Sequence, residues 1–222
     1  MHAFTDLATA AYCPRKLYYR RTRGDEEPPG EAAEAARRVR EVAFRYPELF
    51  EPTSEMPPEV EATPTQFRTR LSCARERFDE ETWDGLTDPD ARDVFLEGKE
   101  ARGVAHKLFG DPPVPSMVFA GDPPDRGVWE PQGVRAVAAA KALAWERRRP
   151  VERAFAEYPA HGVVREVRLT TRRKAAYRRA VRTVESMDGP PARVDSEGKC
   201  RACEYRATCG TRTRSLRSLL GL

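Results

Sequence analysis

The chain has 222 residues, 33% of them charged and 40% hydrophobic, with a net charge of +4. That length supports one domain with its own core, and no apolar run approaches the roughly 20 residues of a membrane span. Met1-His2-Ala3-Phe4 lacks a signal peptide's apolar stretch, and five cysteines with ligand-like spacing suit a reducing compartment, so a cytoplasmic protein is expected.

Charge is unevenly spread. Between Glu76 and Glu100 there are ten acidic residues against three basic ones, whereas Arg165 to Arg182 holds eight basic residues and one acidic. A one-sided basic surface is expected from that asymmetry. The chain has no Ile or Asn, and Arg far outnumbers Lys. Arginine clustering therefore carries more weight than arginine abundance.

In chain order, Thr5 or Asp6 can cap a short helix through Leu7, Ala10 and Ala11. Pro14 starts a second helical turn, with Leu17, Tyr18 and Tyr19 on one side. Residues 24–30 read as a loop. An amphipathic helix is expected from Glu31 to Tyr46, ended by Pro47. Pro52 to Pro64 holds four prolines and no periodicity, which marks a linker or extended surface segment. Gln66 to Trp83 reads as helix and carries Cys73 as an ordinary buried thiol. Thr87-Asp88-Pro89 predicts a helix start, and the pattern Val94, Phe95, Val104, Ala105, Leu108 extends that helix to Gly110.

A short strand follows at Ser116–Phe119, and then a turn over Gly121-Asp122-Pro123-Pro124-Asp125. An alanine-rich helix runs from Gln132 to Arg149. Val151–Tyr158 and Val163–Leu169 alternate apolar and polar residues around Pro159-Ala160-His161-Gly162, the pattern of a β-hairpin. Thr170 or Thr171 caps a long basic helix ending at Asp188-Gly189-Pro190-Pro191. A three-cysteine segment and a basic tail of 211–222 close the chain.

That last segment organises the rest. Cys200, Cys203 and Cys209 are separated by two and then five residues. A thiolate site needs a fourth ligand. Cys13, in Tyr12-Cys13-Pro14-Arg15-Lys16, is the better candidate, because Cys-Pro pairs recur at iron–sulfur ligands. Cys13 and Cys200 are 187 positions apart. Closing such a loop costs about 5 kcal/mol of chain entropy, less than the roughly 10–16 kcal/mol of a structural metal. Ligation therefore wins and clamps one end of the chain onto the other. The alternative is a set of free or disulfide-paired cysteines.

The order of parts resembles the CRISPR-associated RecB-like exonuclease family (the fourth Cas protein). Tyr12-Cys13-Pro14-Arg15-Lys16 and Lys199 to Cys209 look like its two cluster-binding halves, and the hairpin, basic helix and Gly-Pro-Pro turn keep the family's order. The likeness covers about the first twenty residues and Gln132 to Gly210. It implies an α/β, RecB-like PD-(D/E)XK nuclease fold, a small mixed sheet flanked by helices, in one domain of 1–222. Residues 1–24 would be the N-terminal cluster-ligand segment and 195–210 the three-cysteine segment. It also implies a 4Fe-4S cluster on Cys13, Cys200, Cys203 and Cys209.

Such nucleases hold Mg²⁺ or Mn²⁺ on convergent carboxylates, with a lysine activating water. Gly103-Val104-Ala105-His106 resembles their Gly-plus-His helix motif, and Gln132 opens the helix where their glutamine belongs, though Ala136 stands at the tyrosine position. No Glu-x-Lys lies between His106 and Gln132. The substitutes are Glu130, with Asp122 or Asp125 before it and Lys141 reaching in from the helix. The implied catalytic set is His106, Asp122, Glu130, Gln132 and Lys141, with metal on His106, Asp122 and Glu130. Arg172, Arg173, Lys174, Arg178, Arg179 and Arg182 are the candidate DNA-binding residues. Tyr18, Tyr19 and Tyr177 are core residues or base-stacking rings.

The leading expectation is a DNA-binding, DNA-end-processing protein acting on single-stranded ends, with other CRISPR adaptation proteins as further partners and no membrane. A catalytically inactive cluster protein that binds DNA or a partner, and a zinc-stabilised structural module, are the other readings.

Overall fold

A computed structural model describes residues 1–23 and 30–209. The loop expected over 24–30 lies outside the described residues except for Gly30, as do Gly210 and the tail 211–222.

A short strand β1 (His2–Ala3) leads into α1 (Phe4–Tyr12) and α2 (Pro14–Arg23), then α3 (Glu31–Val42) and α4 (Tyr46–Phe50). The expected cap at Thr5 or Asp6 is not used, because α1 already begins at Phe4. Pro47 does not end a helix either. It lies in the first turn of α4, where its missing N–H costs nothing. The expected helix over Gln66–Trp83 is two helices, α5 (Pro64–Arg77) and α6 (Glu80–Thr87). Thr63 and Gln66 cap α5 reciprocally, and Asp79 accepts from the Thr82 N–H to restart the chain as α6. Cys73 is exposed on α5, not buried.

The largest correction falls on residues 88–110. Asp88 closes α6 instead of opening a helix, and the chain continues as strands β2 (Ala91–Glu97) and β3 (Ala101–Phe109). Two glycines, Gly98 and Gly103, weaken any helix there by about 1 kcal/mol each. Gly98 makes the turn between the strands, and a Cβ there would meet the Ala142 backbone at 2.7 Å. Residues 105–109 of β3 are all buried, so the segment lacks the in–out alternation of a half-exposed strand.

Strand β4 (Val114–Val118), α7 (Glu130–Arg147), β5 (Arg153–Tyr158), β6 (Val163–Arg168), α8 (Thr171–Glu185) and α9 (Glu197–Arg201) complete the described chain. The hairpin β5–β6, the long α7 and the Thr170-capped α8 match the sequence expectation within a few residues. The sheet is mixed and six-stranded, in the order β1-β3-β4-β5-β6, with β2 antiparallel along the other edge of β3. β4 and β5 run parallel across the α7 crossover. No described helix is long and apolar enough to cross a membrane.

Helices cover both faces of the sheet. On one side α1, α7 and α8 pack through Leu7, Val137, Leu143, Tyr177 and a run of buried α7 alanines. Small alanine side chains let that helix lie close on the strands. On the other side Tyr46, Leu49, Phe67, Trp83 and Leu86 from α4–α6 close over Phe109 and Phe155.

Inside that second layer lies an ion pair of zero exposure. Lys107 Nζ of β3 donates to Glu157 Oε2 of β5 at 2.8 Å, to the Ala43 carbonyl at 2.7 Å and to the Leu86 carbonyl at 2.5 Å. Ser116 Oγ of β4 donates to the other carboxylate oxygen at 2.5 Å. All three ammonium protons are used, and the Phe44 and Tyr46 rings each lie 5.0 Å from the nitrogen. Burial lowers the lysine's pKa while Glu157 opposes that shift.

Removing one member leaves a buried charge without its counterpart, so Lys107→Met should cost about 3–5 kcal/mol in urea unfolding. Lys107→Met/Glu157→Gln should recover at least half of that loss. A double variant no more stable than the single one would contradict the pairing.

Candidate functional site

The two ends of the chain meet at four thiols. Cys13 sits in the one-residue gap between α1 and α2, where its N–H donates to the Thr9 carbonyl and its own carbonyl receives the Lys16 and Leu17 N–H groups. Cys200 lies on α9, and tight turns through Cys203 and Tyr205 carry the chain on to Cys209. All four line one cavity, whose lining among the described residues contains no carboxylate or histidine. Cys73 is on α5, outside this group.

Several contacts hold the ends together beside the thiols. The Tyr12 hydroxyl donates to the Lys199 carbonyl at 3.4 Å, and Lys199 Nζ returns a bond to the Tyr12 carbonyl at 3.1 Å. Lys16 pairs with Glu204 at 2.8 Å, and Arg15 donates to the Pro191 carbonyl. The Tyr19 and Tyr205 rings stack at 5.7 Å. Tyr205 is 4% exposed, so this contact is a small core joining the ends. Arg193 Nε donates to Cys200 Sγ at 3.4 Å. Lys16, Lys199 and Arg206 also line the cavity.

An all-sulfur donor set suits a soft metal or an iron–sulfur cluster. Four thiolates on one zinc ion at 2.3 Å stand roughly 3.8 Å apart. Among the described residues, no three cysteine sulfurs lie within 4.8 Å of one another. By donor chemistry the four cysteines fit either a cluster or a single soft ion.

The candidate catalytic residues lie elsewhere and apart. His106 is on strand β3, not on a helix, and is 5% exposed. Its Nδ1 accepts the Val118 N–H of β4 at 2.7 Å, which leaves the proton of the neutral ring on Nε2. Burial, followed by the charges of Arg135, Arg40 and Lys107, pushes its pKa down to about 3. Gln132, in the first turn of α7, accepts from the Tyr158 hydroxyl of β5. Burial raises the pKa of that hydroxyl and holds it protonated. Glu130 is exposed and pairs with Arg179 of α8 at 3.3 Å.

Asp122 is also exposed, and pairs with His161 Nε2 at 3.0 Å, with Glu61 3.9 Å from the same nitrogen. Asp125 contributes its backbone carbonyl to Arg165. Lys141 lies nine positions beyond Gln132 on α7, roughly 13 Å along the axis, with its ammonium over the Tyr177 ring. Tyr177 is a buried ring whose hydroxyl donates to Glu100.

His106, Asp122 and Glu130 were expected as one metal site, but their ligand atoms do not come together. The grouping of His, Cys, Asp and Glu atoms found within 4.8 Å among the described residues is Glu61, Asp122 and His161. A Glu-x-Lys does occur earlier, at Glu97-Gly98-Lys99. It occupies the β2–β3 turn with both charged residues exposed.

The candidate DNA-binding residues do share a surface. Helix α8 buries Ala176, Tyr177, Ala180, Val181 and Val184 against α1 and α7, leaving Arg172, Lys174, Arg178, Arg179 and Arg182 exposed. Lys174, Arg178 and Arg182 recur every four residues and form one stripe. Arg173 turns back to donate to the Arg168 carbonyl.

Sequence reasoning missed Lys107, Glu157 and Arg135. The first two could have been found as single opposite charges inside apolar runs, in Val104-Ala105-His106-Lys107-Leu108-Phe109 and Ala154-Phe155-Ala156-Glu157-Tyr158. No known family's sequence model matches the chain, and neither does any curated protein sequence.

The buried neutral His106 has a thermodynamic consequence. Unfolded, it takes up a proton near pH 6.5; folded, it stays neutral down to about pH 3. Stability therefore falls on acidification below pH 6.5, and this residue contributes no pH dependence above it. Between pH 7 and pH 5, His106→Gln should gain about 2 kcal/mol relative to wild type in urea unfolding. A constant difference across that range would show that the ring protonates freely in the fold.

Proposed function

We propose that the protein is a catalytically inactive relative of the RecB-like, iron–sulfur nucleases of CRISPR adaptation, one that binds DNA on a cluster-clamped scaffold. The observation that carries this reading is the four-thiol cavity, assembled from segments 187 positions apart. The single Cys-x-x-Cys among the four ligands, in place of the two knuckles of a structural zinc site, favours a 4Fe-4S cluster over the zinc-stabilised module. Cys13, Cys200, Cys203 and Cys209 would hold it, and its role there is structural: it ties α1 and α2 to the C-terminal turns.

Inactivity is favoured by what fills the strands. A metal-dependent nuclease needs carboxylates converging on the ion. Here β3 offers His106, with one nitrogen occupied by the Val118 N–H, and β4 offers Ser116, bound to a buried carboxylate that already pairs with lysine. Glu130 pairs with Arg179 at the surface, and Asp122 gathers with Glu61 and His161 and not with His106 and Glu130. DNA binding rests on the exposed Lys174–Arg178–Arg182 stripe, since phosphate contacts supply most sequence-independent affinity.

The test is end-labelled single-stranded DNA with cluster-loaded protein, read by anisotropy across a salt series and by gel for product. Lys174→Ala/Arg178→Ala/Arg182→Ala should lower the slope of log K against log salt by about 2. Neither Mg²⁺ nor Mn²⁺ should yield product. An unchanged slope would reduce the stripe to a solvated face. Cleavage abolished by His106→Ala would refute inactivity.

A further inference from the structure

Among the described residues most large apolar side chains are buried, and Met1, Phe95, Trp129 and Trp145 are the exposed exceptions. Trp129 stands out by its surroundings. It caps α7 with half of its surface open, and its indole Nε1 donates to the Asp122 carbonyl at 2.9 Å. That bond fixes the polar edge of the ring, so its orientation is set before any ligand arrives. Gly127, at a φ of 65°, makes the turn that presents it.

The ring opens onto a groove of about 480 Å³ between the first turns of α7 and α8. Arg126, Arg172, Arg173 and Arg179 line that groove, against one carboxylate, Glu130. Arg172 and Arg179 are seven positions apart on α8, roughly 10 Å along its axis, far enough to meet different phosphates of one strand. Trp145 has no such setting, because Glu97, Lys99, Glu146 and Arg148 mix the charge around it.

The geometry points to Trp129 as a base-stacking platform for single-stranded DNA, with the arginines of the groove holding the flanking phosphates. This rests on the DNA-binding reading above and names the form of DNA. An aromatic face can accept an unstacked base of any identity, whereas bases inside a duplex already stack on their neighbours. Affinity here is therefore insensitive to sequence and sensitive to strandedness. The groove lies beside the Lys174–Arg178–Arg182 stripe on α8, and the stripe carries affinity for either form.

Full-length protein is titrated with oligo(dT) and with a duplex of equal length, following anisotropy and tryptophan emission. Oligo(dT) should quench the emission, and Trp129→Ala should remove the quench and weaken single-strand binding about 5- to 150-fold. Duplex affinity should stay within about twofold, with its salt slope unchanged. Trp129→Phe should keep most of the single-strand affinity, and Trp145→Ala should change nothing. If Trp129→Ala binds oligo(dT) like wild type, the platform is refuted and the DNA-binding reading stands. If wild type binds neither form, both fall. Equal quenching by oligoglutamate would also overturn the proposal, marking the groove as a site for acidic peptides.

Discussion

A carboxylate without access to water has to be met by a cation and by enough donors, and Glu157 sets that requirement at the centre of this sheet. Lys107 and Ser116 satisfy it. Because those three residues sit on β5, β3 and β4, one ion pair fixes the relative register of three strands. The ammonium's other two protons go to carbonyls of Ala43, just after α3, and Leu86 in α6, so the same pair also seats the helical layer above. An apolar trio could fill that space with comparable stability, but it would not hold strands and helices in one arrangement by directed bonds.

That arrangement commits the middle of the sheet to architecture. His106 is held neutral by burial and by the arginine and lysine charges around it, and it spends one nitrogen on the neighbouring strand. Tyr158 is held protonated against Gln132. Among the described residues, four thiols line a cavity where α1 and α2 meet the C-terminal turns, and four arginines line a groove where the first turns of α7 and α8 face each other. The ends are joined by stacked tyrosines and several hydrogen bonds, each worth little alone. On the reading proposed above, thiolate ligation would add the term large enough to offset closing so long a loop.

Parts of this were legible in the sequence, and parts were not, for physical reasons. Thr170 and the turn residues Pro159-Ala160-His161-Gly162 are local signals, and α8 and the β5–β6 hairpin follow from them. Cysteine spacing is local for Cys200, Cys203 and Cys209, and Cys13 follows from its proline; the cavity contains all four. β3 reads as helix because continuous burial over residues 105–109 erases a strand's period of two, and β2, largely exposed with only Leu96 buried, offers no clean alternation either. The Lys107–Glu157 pair joins residues 50 positions apart, and no local pattern announces such a partner. Asp122 and Glu130 look like candidate ligands in a list of acids, but only the fold shows that Glu130 sits beside Arg179 and Asp122 beside Glu61 and His161, apart from His106.

The most direct measurement is iron, acid-labile sulfide and zinc on anaerobically purified protein, with the visible spectrum, beside Cys13→Ser and Cys73→Ser. The four-thiol clamp predicts about four iron and four sulfide per chain in wild type and in Cys73→Ser, with both lost in Cys13→Ser together with a fall in melting temperature. About one zinc per chain with no iron or sulfide, or a Cys13→Ser protein that keeps its iron and its stability, would contradict it.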